Sequence, residues 1–228
     1  MKKIQLLVGF TSVALSSIAL ALPTQPFYVA VNAGIFQGSF DAAYRDQTDL
    51  IPQNIAQTLQ QHGYSEGLAV GYQRPFRNQY LLGAELSANL DSHNASYQSG
   101  AANTSFSNST QIKNHFDLTF VPGVMLGSTV EGYVKLGLSY ASLQDNLTSP
   151  VGYTPTMTRF NSNKSVVGFA GGIGVKKFVT EQVSVYVEGD YHDYGSVSFA
   201  NFQNFTASYT HNAHIYSYGM MLGAAYHF

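Results

Sequence analysis

The chain has 228 residues and a formal net charge of −2, and only 11% of its residues are charged. A typical domain has about 25% charged residues, and with this net charge no basic surface argues for nucleic acid as a partner. Cysteine is absent, so disulfide frameworks, thiol chemistry and cysteine-ligated metal sites are excluded. The length fits a single all-β domain.

The N-terminus has the pattern of a secretory signal peptide. Lys2 and Lys3 precede a mostly apolar run, which ends in the small-x-small cleavage sequence ALA at 19–21. We therefore expect residues 1–21 to be a signal peptide and the mature protein to begin at Leu22. No later segment has the roughly 18 apolar residues of a membrane helix, so the exported protein is expected to be either soluble or a β-barrel.

The first predicted strand spans 27–37, where apolar residues occupy every second position. A long connection at 39–62 follows it. Within this connection Ile51, Ile55 and Leu59 recur at helical spacing, next to a proline that suits a first helical turn. The connection is therefore predicted to contain a short helix.

Six further segments alternate apolar and polar residues in the same way, which predicts six more strands. They cover 65–74, 79–91, 113–126, 130–140, 164–178 and 183–192. The connections alternate between short turns, at 74–78, 127–129 and 179–182, and long segments, at 39–62, 92–112, 143–163 and 195–211. In the fourth strand Pro122 cannot donate a ladder hydrogen bond, so it predicts a bulge or the end of that strand.

The last predicted strand, 215–228, ends on an aromatic residue and alternates throughout. One face carries Tyr216, Tyr218, Met220, Leu222, Ala224, Tyr226 and Phe228. Period-two alternation predicts a strand with one face in an apolar medium. Globular strands usually have about 5–6 residues, whereas a tilted strand that crosses a bilayer needs about 9–11. This strand is therefore predicted to cross a membrane.

Eight strands joined by alternating short and long connections predict an all-β fold, a closed antiparallel eight-stranded up-and-down transmembrane β-barrel. The layout and the terminal aromatic strand resemble the small eight-stranded bacterial outer-membrane β-barrel proteins of the OmpA, OmpX and opacity type. The resemblance covers 27–228, and we assign 22–228 to the barrel. A soluble lipocalin-like barrel is the alternative, but the signal peptide, the loop asymmetry and the glycine-rich polar face favour the membrane.

The resemblance also implies a location and partners. Such a barrel lies in the outer membrane of a Gram-negative bacterium, among lipid and lipopolysaccharide, with periplasmic termini and extracellular long loops. The barrel-assembly machinery of that family reads the closing strand, which implies an assembly signal at Tyr218, Leu222, Tyr226 and Phe228. We expect a monomer that binds no nucleic acid and that contacts any host or surface ligand through its loops.

The polar face of the predicted strands implies a packed interior, because eight strands enclose a space only wide enough for side chains. Buried charges must be paired, so we expect a lumen polar network that plugs the barrel. Its members are Glu85, Asp117, Glu131, Lys135, Lys176, Glu188 and Asp190. The alternative is a narrow polar conduit, as in a porin-like channel.

No catalytic, cofactor or metal site is predicted. Asp190 and His192 share a strand face while Asp193 points away, so this group is interpreted as a polar rim and not as a metal or catalytic cluster. The seven histidines lack HExxH or a comparable ligand spacing. Some eight-stranded barrels are lipid A-modifying enzymes, and the deacylases among them carry a His-x-Ser element, but the nearest match, at 211–214, lacks the serine.

The sequence therefore predicts a non-enzymatic integral outer-membrane protein with a structural role and surface-loop display. Its Asn-, Ser-, Thr- and Gly-rich connections suit adaptable contact surfaces, and adhesion or host interaction is suggested by the family resemblance alone. A narrow porin-like channel and a lipid A-modifying barrel enzyme remain as alternatives.

Overall fold

The structure is a computed structural model that describes residues 25–46, 53–77, 79–92, 95–99, 106–150, 157–204 and 207–228. Within these ranges every regular element is a β-strand. None of the described residues belongs to a helix that could span a membrane. The signal peptide predicted at 1–21 lies outside the described residues.

Nine strands make up the described chain. They are β1 (Phe27–Asp46), β2 (Gln53–Phe76), β3 (Tyr80–Ser92), β4 (Ala95–Ser99), β5 (Phe106–Met125), β6 (Val130–Pro150), β7 (Met157–Phe178), β8 (Val183–Asn204) and β9 (Ala207–His227). Consecutive strands pair antiparallel except for β3 and β4, β1 pairs with β9, and β3 pairs with β5. The short β4 pairs with β5 beyond the end of β3. The ring of eight strands is therefore closed, which confirms the predicted eight-stranded antiparallel barrel.

The apolar face of the strands points outward. Along β1, the outward-facing apolar residues from Phe27 through Val29 and Val31 to Ile35 are exposed, whereas Tyr28 and Ala30, which alternate with the first three, are buried. The apolar outward run of β1 covers nine residues, or about 30 Å at roughly 3.3 Å per residue. With a tilt of about 40° this corresponds to a height of about 23 Å, close to the lipid-facing band of outer-membrane barrels.

The start of β1 and the last residue of the chain lie at the same rim of the barrel as the short turns. Phe228 N donates to Phe27 O at 2.9 Å, and His227 N donates to Gln182 O in the third turn at 2.7 Å. The first turn reverses at Arg77, which has a left-handed φ of 54°. The three short turns are therefore confirmed, and we call this end of the barrel the short-turn rim.

The four predicted long connections are wrong in their extent, because the strands continue through most of them. The β1–β2 ladder runs without a register shift to the pair Asp46–Gln53, and the other long hairpins extend similarly. The short helix predicted around Ile55 and Leu59 is also wrong, since these residues belong to β2. A spacing of four fits one face of a strand as well as one face of a helix, so that signal was ambiguous.

The prediction at Pro122 is wrong as well. Pro122 lies inside β5, and the β5–β6 register is the same on both sides of it, at Phe120–Leu136 and at Gly123–Tyr133. The β5–β6 irregularity lies instead between Ile112 and Asn114. Because the ladder to β6 skips Pro122 itself, the missing N–H is accommodated without a bulge.

Candidate functional site

The interior of the barrel is filled by side chains in successive layers. Nearest the short-turn rim is an apolar cluster of Leu81, Met125 and Phe178. Above it lies the first charged layer, which consists of Gln73, Glu131 and Lys176. Glu131 Oε1 accepts from Gln73 Nε2 at 2.5 Å, and its Oε2 lies 3.5 Å from Lys176 Nζ. All three side chains of this layer are buried.

The second charged layer consists of Glu85, Lys135 and Glu188. Lys135 Nζ lies 2.7 Å from Glu85 Oε1 and 2.8 Å from Glu188 Oε2. Each carboxylate also accepts from a tyrosine hydroxyl at 2.7 Å, from Tyr28 at Glu85 and from Tyr133 at Glu188. One lysine from β6 thus joins carboxylates of β3 and β8 across the lumen.

The tyrosines are held in place by glycines on the neighbouring strands. Tyr28 is paired with Gly71, Tyr133 with Gly174 and Tyr186 with Gly223. A Cβ built at any of these glycines would lie 2.1–2.4 Å from the ring of its tyrosine. The glycine-rich inner face seen in the sequence therefore makes room for aromatic rings that lie flat against the wall.

The third layer, which we call the histidine layer, consists of Asp91, His115, Asp117 and His192. His115 Nδ1 lies 2.6 Å from Asp91 Oδ2. His115 Nε2 and His192 Nε2 lie 3.5 Å and 3.4 Å from the same atom, Asp117 Oδ2. All four residues are buried. Among the described residues, one atom of each of the two histidines and Asp117 lies within 4.8 Å of the others, a separation that a metal ion could bridge.

The fourth layer is apolar and lies against the histidine layer on the side of the long hairpins. It consists of Phe36, Phe40, Ile112, Ala141, Leu143, Tyr194, Val197, Ala213 and Ile215, and Val166 packs against it. The Phe36 ring centroid is 6.1 Å from those of both His115 and His192. These residues come from five strands of the ring, so the layer extends across the lumen.

Two strand irregularities determine which side chains of the histidine layer and the apolar layer point into the lumen. The register shift between Ile112 and Asn114 lets both Ile112 and His115 face inward, although they are an odd number of positions apart. In β8 the shift between Asp193 and Gly195 includes a glycine with a φ of +66°. That left-handed backbone favours glycine, and it lets both Tyr194 and Val197 point into the lumen.

The seven residues predicted for the lumen network all have positions on the inner face. Six of them are buried: Glu85, Asp117, Glu131, Lys135, Lys176 and Glu188. Asp190 is partly buried and lines the same small cavity as His115, Asp117 and His192. Asp193 lies outside this group, with its Oδ1 3.5 Å from His214 Nε2.

Sequence reasoning missed the histidine layer and the apolar layer. His115 shares a strand face with Asp117, and His192 shares one with Asp190, so their inward direction could have been inferred from period-two alternation. The contact between these side chains could not be inferred, because Asp117 and His192 are 75 residues apart in the chain.

The residues predicted for the assembly strand all lie on the outer face of β9 and at its end. Tyr218, Leu222, Tyr226 and Phe228 are exposed. The Phe228 ring stacks on Phe27 at 6.3 Å, so the last residue also joins the closing seam between β9 and β1.

We propose that the terminal aromatic side chain belongs to an assembly signal, as the family resemblance implies, and we therefore expect the substitution Phe228→Ser to lower the folded fraction in cells several-fold. The control is Leu126→Ser, at another exposed apolar residue of the short-turn rim. Heat-modifiable gel mobility of outer-membrane fractions measures the folded fraction. Equal folded fractions for the two variants would contradict an assembly role of Phe228.

A closed barrel with an apolar outer face and a filled interior defines an integral membrane β-barrel protein. Residues 6–228 match the family described as outer membrane protein beta-barrel domain, and the chain belongs to this family of outer-membrane proteins. It is similar to an uncharacterized protein of Coxiella burnetii (strain RSA 493 / Nine Mile phase I), with 28% identity over 225 residues that cover 90% of this chain and 86% of the relative.

Two solved structures have a similar fold. The outer membrane protein OprG of Pseudomonas aeruginosa is 14% identical, with 93% of this chain and 99% of that chain covered and a TM-score of 0.51. The outer membrane protease OmpT of Escherichia coli is 11% identical, with 90% and 97% covered and a TM-score of 0.52. At these identities the similarity concerns the fold alone.

Proposed function

We propose that the protein is a non-enzymatic structural barrel of the outer membrane, with a closed lumen and four long hairpins displayed at the cell surface. The observation that carries this proposal is the filled interior, where two charged layers, the histidine layer and the apolar layer follow one another along the axis. A barrel of eight strands has little internal space to begin with, and these layers, formed by described residues, support a lumen without a wide aqueous path.

The chemistry of the layers supports a closed lumen and not a conduit. Lys135 and Lys176 are each held by carboxylates, and separating such buried pairs is costly. Beyond them, Ile112, Leu143 and Ile215 are at most 1% exposed. An ion on this path would have to displace paired charges and then cross an apolar layer, which disfavours transport.

The hairpins are the part of the barrel that is available for contacts. β1 continues for eleven residues beyond Ile35, to Asp46, which at about 3.3 Å per residue and a tilt of about 40° corresponds to roughly 28 Å beyond the apolar band. We assign this end to the cell surface, among lipopolysaccharide, and the short-turn rim with both termini to the periplasm. Contact with a host or surface ligand through the hairpin ends is the role that such a geometry supports best.

The outer face supports a monomer. Exposed apolar side chains occur on every main strand, from Val31 on β1 to Leu222 on β9, as expected for a barrel that contacts lipid all round. In this arrangement the barrel anchors the hairpins in the membrane, and the hairpin ends contact the host or surface ligand.

The orientation can be tested by labelling, because the natural chain has no cysteine. Gln60 lies on the hairpin extension of β2 and Glu181 lies in a short turn, and both are exposed. We expect Gln60→Cys to react with a membrane-impermeant maleimide on intact cells, and Glu181→Cys to react only after the outer membrane is permeabilised. The reverse pattern would overturn the assignment of the hairpins to the cell surface.

A further inference from the structure

The interior of the barrel holds more negative than positive residues. The described part of the chain buries six carboxylates, and they are Glu85, Asp91, Asp117, Glu131, Asp145 and Glu188. The buried cationic residues of the same part are two lysines, Lys135 and Lys176. These lysines lie against glutamates, whereas the aspartates of the histidine layer lie against histidines.

The histidine layer has the donor set and the spacing of a transition-metal site. Zinc binds histidine nitrogen and carboxylate oxygen at about 2.0–2.2 Å, which in a tetrahedron separates neighbouring ligand atoms by about 3.3–3.6 Å. Asp117 Oδ2 lies 3.5 Å from His115 Nε2 and 3.4 Å from His192 Nε2. Two edges of a tetrahedron are therefore already formed.

The contact between His115 and Asp91 has the geometry of a carboxylate that orients a ligating histidine. A carboxylate can only accept, so the contact of 2.6 Å means that His115 Nδ1 donates to Asp91 Oδ2. With Nδ1 directed at Asp91, the other ring nitrogen, Nε2, lies on the side of Asp117, 3.5 Å from its Oδ2. A carboxylate that orients a ligating histidine in this way is a common second partner in metal sites.

An unpartnered oxygen and a small cavity complete the site. Asp117 Oδ1 is buried and has no hydrogen-bond partner among the described residues. The cavity has a volume of about 30 Å³ and is lined by His115, Asp117, His192 and Asp190, among others. A water needs about 10–15 Å³ of such volume, so there is room for an ion and a water ligand.

We propose that His115, Asp117 and His192 bind one divalent transition-metal ion of the zinc type inside the lumen, with Asp91 positioning His115 and a water as the fourth ligand. Two imidazoles select zinc-type ions over Ca²⁺ and Mg²⁺, which prefer oxygen ligands. The ion links β5 to β8 and neutralises the aspartates. Because the site lies beneath the apolar layer, it is filled during folding and exchanges slowly afterwards.

The test uses the full mature chain, refolded in detergent with excess Zn²⁺ and then separated from free metal by gel filtration. Atomic emission should find about one Zn²⁺ per folded chain, as for a single site. His115→Gln and His192→Gln should retain less than a tenth of this zinc. The control His214→Gln should bind as the wild type does, because His214 lies near Asp193 outside the layer.

Gel mobility reports whether each variant folds. If the two lumen variants do not fold, the wild type alone decides: Co²⁺ bound during refolding should give the visible absorption of a four-coordinate ion with nitrogen and oxygen ligands. Folded wild type that retains no zinc, full zinc retention by folded His192→Gln, or a Co²⁺ spectrum of the hydrated ion only would each overturn the proposal.

Discussion

The substitution Lys135→Met is expected to lower the free energy of unfolding by about 3–5 kcal/mol, the usual cost when one partner of a buried ion pair is removed. Lys135 Nζ lies within 3 Å of both Glu85 and Glu188. Methionine has a similar length and leaves little cavity. The decrease in the free energy of unfolding therefore measures the cost of leaving the carboxylates of Glu85 and Glu188 without their lysine. Urea unfolding in lipid vesicles, followed by circular dichroism and gel mobility, measures the change.

Two further variants make this result specific. Lys177→Met changes the neighbouring lysine of β7, which is less buried than Lys176 and lies on the opposite face, and should change the free energy of unfolding by less than about 1 kcal/mol. The triple variant Lys135→Met, Glu85→Gln and Glu188→Gln removes all three charges and should recover most of the stability. A loss at Lys135→Met no larger than at Lys177→Met would show that the second charged layer does not form.

The substitution Val134→Arg should cost about 2–4 kcal/mol, the figure for a cation that faces lipid at the middle of the bilayer. Val134 precedes Lys135 in β6 and points to the opposite side, outward and near the centre of the apolar band. The same unfolding measurement in vesicles applies here.

The matched control is Val179→Arg, at an exposed valine in the turn after β7. An arginine there can reach the water, so the expected cost is about 0–1 kcal/mol. Equal losses at the two valines would contradict the position of the apolar band and therefore the placement of the barrel in the membrane.

The membrane-spanning part of the fold could be predicted from the sequence because each strand has one face in lipid. Val29, for example, lies on the outer face, whereas the adjacent Tyr28 is buried in the interior. Because the two faces carry different residue types, the sequence shows the alternation directly. Beyond the lipid band the outer face of a hairpin extension no longer meets lipid. Alternation is then lost although the backbone ladder continues, and the strand residues Ile55 and Leu59 gave a helical signal instead.

The interior could be predicted by residue type but not by partner. The inward direction of Glu85, Lys135 and Glu188 follows from alternation, but which strands face each other across the lumen depends on how the barrel closes. The apolar layer is a different case, because inward-facing Ile112 and Ile215 have the same residue type as outward-facing ones. The direction of Ile112 depends on a strand irregularity that leaves no strong trace in the sequence, whereas the direction of Ile215 follows from the alternation of β9.

The closed lumen is the central claim, and single-channel recording in planar lipid bilayers tests it most directly. The purified, folded protein should insert without steady currents in concentrated KCl, because paired charges at Lys135 and the apolar layer at Leu143 and Ile215 block the axis. The variant with both Leu143 and Ile215 replaced by alanine serves as the comparison, because its apolar layer is less tightly packed. Steady, large single-channel currents from the natural protein would contradict the account and identify the barrel as a channel.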